Sequence, residues 1–117
     1  MSTLPDAFSE RDVCTKLITP AILAAGWDSL HQIREEVTLT AGRFLLGRGA
    51  HAPQRGERKR ADYVLYAQPN IPLAVIEAKD ARHPVGAGMP QALHYADLLD
   101  VPFVSSSNGS GFASADR

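Results

Sequence analysis

Arg60–Lys79 reads RADYVLYAQPNIPLAVIEAK: two β-prone runs joined at Gln68-Pro69-Asn70, a turn-forming tripeptide. This predicts one strand over Lys59–Ala67 and another over Pro72–Ala78, paired as an antiparallel hairpin. Leu73-Ala74-Val75-Ile76 is apolar without alternation, as in a central strand covered on both faces. Asp62 stands at the head of the first run, with Glu77 and Lys79 at the tail of the second. Antiparallel pairing therefore brings all three to one end of the sheet.

Upstream, Ser9 and Asp12 have capping-box spacing, in which hydroxyl and carboxylate each satisfy a free backbone N–H at a helix start. Val13, Leu17, Ile18, Ala21, Ile22 and Ala25 follow as one apolar stripe at helical spacing. Pro20 lies inside that stripe and is expected to kink or split the helix near Thr19, and Gly26 to end it. A loosely alternating run, Gln32–Thr40, predicts the first strand. Downstream, residues 80–88 read as a loop, and a second helix carries Met89, Ala92, Leu93, Ala96 and Leu99 inward until Asp100 and Pro102 stop it. Val101–Ser105 is expected as a fourth strand, with polar, glycine-rich sequence from Ser106. The order αβββαβ implies an α/β sandwich around a mixed four-stranded sheet, with the second helix crossing over to lay the fourth strand parallel to the third.

With 117 residues, 44% of them hydrophobic and 21% charged, the chain has the size and composition of one globular domain. Residues 1–8 read as an irregular arm. The net charge is -1, so the body has no general affinity for polyanions. The distribution is uneven, however. Arg43, Arg48, Arg55, Arg58, Lys59 and Arg60 are six of the twelve Lys and Arg residues, opposed locally only by Glu57, in a loop rich in Gly and Pro over 47–58. Such a patch can follow phosphates, although many such runs are only solvated loops. Cys14 is the sole cysteine, which excludes an intrachain disulfide and fits a reducing compartment. No signal peptide or membrane-spanning run is visible, so a cytoplasmic location and no membrane partner are expected.

Along a strand, side chains alternate faces, so Glu77 and Lys79 emerge on the same side and Ala78 on the other. Two carboxylates beside an amine suit Mg²⁺ or Mn²⁺, and Mg²⁺ characteristically takes one or two carboxylates and keeps several waters. Such a cation acidifies water and stabilises charge on a phosphoryl oxygen, while the amine orients or deprotonates the attacking water. The pattern points to phosphodiester hydrolysis. Glu-x-Lys alone is a weak signal, because solvated ion pairs at strand ends are common. An acid just inside the partner strand strengthens it, since propensity disfavours Asp there.

The stretches SERDVCTKLITPAILAAGW, RADYVLYAQPNIPLAVIEAK, QALHYADLLDVPF and SSNGSGF resemble, in order, the N-terminal nuclease domain of the restriction (R) subunit of type I restriction-modification enzymes. The resemblance covers Ser9 to Phe112. It implies the restriction-endonuclease-like fold of the PD-(D/E)xK superfamily, with Asp62 and Glu77 as the metal-binding acids and Lys79 as the catalytic lysine. The backbone carbonyl of Ala78 would add a ligand, and Glu10 on the first helix matches the place of an additional acid, for which Asp12 competes. Gln91 and Tyr95 match the accompanying Gln-x-x-x-Tyr element, one helical turn apart and so on one face. Glu35 and Glu36 are weaker candidates. His31, His51, His83 and His94 lack ligand spacing.

The implied activity is Mg²⁺-dependent endonucleolytic cleavage of double-stranded DNA, with the motor domain and the specificity and modification subunits of a type I complex as partners. R subunits of the family continue into an ATP-driven motor, and this sequence has no G-x-x-x-x-G-K-[ST] phosphate loop. ATP would therefore act only through a motor domain that this chain lacks, and the chain is expected to be a fragment with 113–117 as its tail. Two other readings stay open: a non-catalytic module that binds DNA or docks a complex, and a stand-alone nuclease of the superfamily such as a junction resolvase.

Overall fold

The computed structural model describes residues 8–39 and 59–117. Its elements are α1 (Glu10–Val13), a π-helical turn (Cys14–Ile18), α2 (Thr19–Ala24), β1 (Ile33–Leu39), β2 (Lys59–Gln68), β3 (Ile71–Ala78), α3 (Met89–Leu99), β4 (Phe103–Ser107) and β5 (Phe112–Asp116). The arm at residues 1–7 and the loop carrying Arg43, Arg48, Arg55 and Arg58 lie outside the described residues.

The capping box forms as its spacing predicts: Ser9 Oγ accepts the N–H of Asp12 and the Asp12 carboxylate accepts the N–H of Ser9. Pro20 does not break the helix outright. The backbone instead widens into a π turn in which the Thr19 N–H reaches the Cys14 carbonyl, and α-helix resumes with proline in its first turn, where no N–H is needed. Tyr63 Oη also donates to the Cys14 carbonyl at 3.1 Å and lies 2.6 Å from Thr19 Oγ1. A fully buried phenol on β2 thus fastens the sheet to the widened turn.

The sheet has five strands in the order β1-β2-β3-β4-β5, one more than the sequence predicts. β2 is antiparallel to β1 and β3, β4 is parallel to β3 across the α3 crossover, and β5 is antiparallel to β4. The polar tail was the wrong reading of 113–117. Ala113-Ser114-Ala115 has weak strand propensity, and its pairing comes from the tight turn before it and from the edge of β4. β4 itself starts at Phe103, because Asp100 at φ 58° closes α3 in the left-handed conformation and Val101-Pro102 makes the connection. The β2–β3 turn uses Pro69 and Asn70, the latter at φ 70°, and Gln68 pairs with Ile71 across it.

Each sheet face buries its own core. Val13, Cys14, Ile18 and Ile22 from the first helical stretch pack on Tyr63, Leu65 and Ile76. On the other face Ala92, Tyr95 and Ala96 from α3 pack on Ala61, Val64, Val75 and Val104. The strands of the hairpin are therefore covered on both sides, which explains the unbroken apolar run in β3. One strand position departs from β geometry. Glu36 in β1 has φ 54°, and the β1–β2 pairing skips it between Glu35↔Tyr63 and Val37↔Ala61. A left-handed backbone costs a non-glycine residue about 1–2 kcal/mol.

The β4–β5 loop shows the tightest packing between layers. Gly109 has φ 96°, and a Cβ there would lie 2.6 Å from Leu17 Cδ1 and 3.3 Å from Val13 Cγ1. Gly109→Ala combines backbone strain with overpacking and is expected to destabilise the domain by about 1–3 kcal/mol. Urea denaturation checks this, and a midpoint equal to wild type would refute the packing described.

Candidate active site

The β2–β3 pairing runs from the turn as far as Tyr63↔Ile76. At the next position Asp62 opposes Glu77, and side chains replace the ladder. Glu77 Oε2 accepts the Asp62 N–H at 2.8 Å, and Asp62 Oδ2 accepts the Ala78 N–H at 2.8 Å. Each acid thus holds the backbone of the opposite strand, and the two carboxylates are locked beside each other. Glu77 is 2% exposed. Lys79 follows at the strand end, its N–H donating to the Ser107 carbonyl at 2.9 Å.

The electrostatics follow from this crowding. Burial first, then the charge of Asp62, pushes the Glu77 carboxyl up to about 9. Glu10 is raised for the same two reasons, burial and then Asp62, with Lys79 easing it. Glu10 therefore converges on Asp62 from α1, while Asp12, its competitor, is exposed and occupied by the capping box. From α3, Gln91 Nε2 donates to Tyr95 Oη at 2.7 Å. The Tyr95 phenol is raised by burial and then by the Glu77 charge.

The structure thus gathers Glu10, Asp62, Glu77, Lys79, Gln91 and Tyr95 at one end of the sheet. Lys59 and Arg60 lie on β2 just before Asp62. Among the described residues no three His, Cys, Asp or Glu side chains are closed around a point that could hold a metal ion. Asp62 and Glu77 each turn one oxygen to a backbone N–H and keep a second oxygen. Two adjacent carboxylates with a lysine at the strand end are a donor set that suits a hard dication.

Gly88, Ser106 and Ser107 are supporting positions that the sequence does not mark. Gly88, before α3, sends its N–H to Ser106 Oγ at 2.8 Å, and a Cβ on it would lie 2.8 Å from that oxygen and 3.2 Å from Glu77 Cβ. Ser107 and Asn108 organise the β4–β5 loop: Ser107 Oγ bonds the Gly111 carbonyl, and Asn108 Nδ2 bonds the His83 carbonyl at 2.6 Å. The run of three serines in β4 was the available signal, because small polar residues in a buried parallel strand leave room for a neighbouring site. His31 and His83 pair with Asp28 and Asp80 and join no ligand cluster.

Residues 48–116 match the family model described as type I restriction enzyme R protein N terminus. The chain belongs to this family. The type I restriction enzyme EcoAI endonuclease subunit of Escherichia coli is 54% identical over 108 residues, covering 92% of this chain and 13% of that protein. The fragment structure of a putative HsdR subunit of a type I restriction enzyme from Vibrio vulnificus YJ016 matches with a TM-score of 0.72 at 35% identity, over 92% of this chain and 21% of that one. The chain thus spans a small part of the relatives it matches. Among the described residues no helix is long and apolar enough to cross a membrane.

Glu77 gives the site a stability signature of its own. Its folded value is raised, so the neutral carboxyl contributes stability that is fully present below the ordinary value of 4.5 and is lost as pH rises through about 9. In chelator, the melting temperature of the wild-type chain is expected to fall across that window. Glu77→Gln, which copies the neutral carboxyl, should flatten the profile, and parallel wild-type and variant curves would refute the assignment.

Proposed function

We propose that this chain is the Mg²⁺-dependent DNA endonuclease domain of a type I restriction enzyme R subunit, hydrolysing phosphodiester bonds of double-stranded DNA. The observation that carries the reading is the reciprocal bridge between Asp62 and Glu77 at the open end of the β2–β3 hairpin, with Lys79 one step beyond. Asp62, Glu77 and the Ala78 carbonyl would hold the cation, with Glu10 as a further acid. When bound, Mg²⁺ supplies positive charge to the phosphoryl oxygen and acidifies water.

The chain's own residues do the rest. Lys79 orients the attacking water, takes up its proton, or neutralises charge that develops in the transition state. Glu77 would have to lose its proton to hold a cation, which would link metal affinity to pH. Tyr95, held by Gln91, packs the α3 face of the site and positions Glu77. Lys59 and Arg60, with Arg43, Arg48, Arg55 and Arg58, contact backbone phosphates, which place a duplex without reading its sequence. Target choice then belongs to the specificity subunit, and ATP use to the motor domain. Membership of a family that includes a subunit named as an endonuclease supports the reading.

Plasmid nicking in Mg²⁺ tests the assignment, first with this chain and then within a complete R subunit in its complex. Asp62→Ala and Lys79→Ala are each expected to lower the rate by about 10²-fold or more, with the fold retained. Cleavage undiminished in both variants would overturn the site. No cleavage by the wild-type complex would favour a docking role instead.

A further inference from the structure

Glu36 occupies the one β1 position at which the ladder with β2 lapses, opposite Asp62, and it holds a left-handed backbone there at φ 54°. Its carboxylate lies between two guanidinium groups from different elements. Oε2 pairs with Arg11 Nη2 of α1, and Oε1 lies 3.4 Å from Arg60 Nη1 of β2. Arg11 adjoins Glu10 in sequence, and Arg60 stands two residues, about 7 Å of strand, before Asp62. The two arginines are therefore close in sequence to two acids of the candidate active site. Both are well exposed, with side chains 61% and 63% accessible.

We propose that Arg11 and Arg60 form a phosphate cradle for the DNA backbone beside the cleavage centre, and that Glu36 fills it as an internal carboxylate latch when no DNA is bound. Carboxylate and phosphate share the geometry that a guanidinium fork recognises, and phosphate oxygens bind it at least as well. Exposed ion pairs are individually weak, so an incoming backbone phosphate displaces the carboxylate at little cost. The strained backbone of Glu36 fits this role: it turns the carboxylate out of the ladder towards the cations.

The inference rests on reading the site as a DNA-cleaving centre, and the experiment separates the two claims. Binding of a short fluorescent duplex is measured by anisotropy in Ca²⁺, across salt from about 50 to 200 mM, with melting curves taken alongside. Glu36→Gln is expected to bind about three- to tenfold tighter at low salt, with a salt dependence steeper by about 0.9 for each phosphate newly engaged. Glu36→Gly, which suits the positive φ, should show the same gain even where Gln disturbs the fold. Adding Arg11→Ala and Arg60→Ala should abolish the gain. If the Glu36 variants bind equally or more weakly while melting like wild type, the latch is refuted and Glu36 is only a brace, with the nuclease reading intact. If wild type and every variant fail to bind the duplex, the DNA reading falls and the latch with it.

Discussion

The rest of the site depends on the exchange between Asp62 and Glu77, in which each carboxylate accepts a backbone N–H from the other's strand. It sits where the β2–β3 ladder ends, so it substitutes for the ladder hydrogen bonds that would otherwise continue. These hydrogen bonds offset part of the cost of crowding two acids into a buried corner. The same bonds fix both carboxylates against rotation. A corner preorganised in this way needs only a balancing positive charge, and in its absence a proton serves, which is why Glu77 is raised.

The layers around the hairpin supply the rest by ordinary packing. Tyr63, fully buried, ties β2 to the π turn through the Cys14 carbonyl and Thr19, and this carries the start of the helix, with Glu10, to the level of Asp62. On the opposite face the close approach of Gly88 to Ser106 and Glu77 brings α3 low enough for Tyr95 to reach the acids. Contacts away from the acids thus set the level of both helices, and the helices are more than a covering for the sheet.

Much of this was legible in the sequence because it is local or periodic. The capping box at Ser9, the Pro69-Asn70 turn, the alternation that sets Glu77 and Lys79 on one side, and the bounds of α3 all follow from spacing and propensity. What was missed depends on partners distant in sequence. β5 is built of alanine and serine and becomes a strand only by pairing with β4. The π turn answers Pro20 with a bond pattern that no residue type announces. Glu35 and Glu36 read as strand glutamates of which one faces outward on either register, since nothing in REEV marks a positive φ. At the site, the resemblance supplied Gln91 and Tyr95, whereas Gly88 and the β4 serines needed coordinates, because a close approach leaves no periodic trace.

Glu36 also bears on how a near-neutral domain manages a polyanion. With a net charge of -1, the body offers no long-range attraction, and its acids would repel phosphate where cleavage requires it. Local cations must therefore offset them, and Arg11, next to Glu10 in sequence, and Arg60, two residues before Asp62, both pair with Glu36. An acid held off the ladder in a strained backbone occupies these cations until a phosphate replaces it. In that arrangement Glu36 and the proton on Glu77 play parallel parts: each holds a charge in check before DNA and cation arrive.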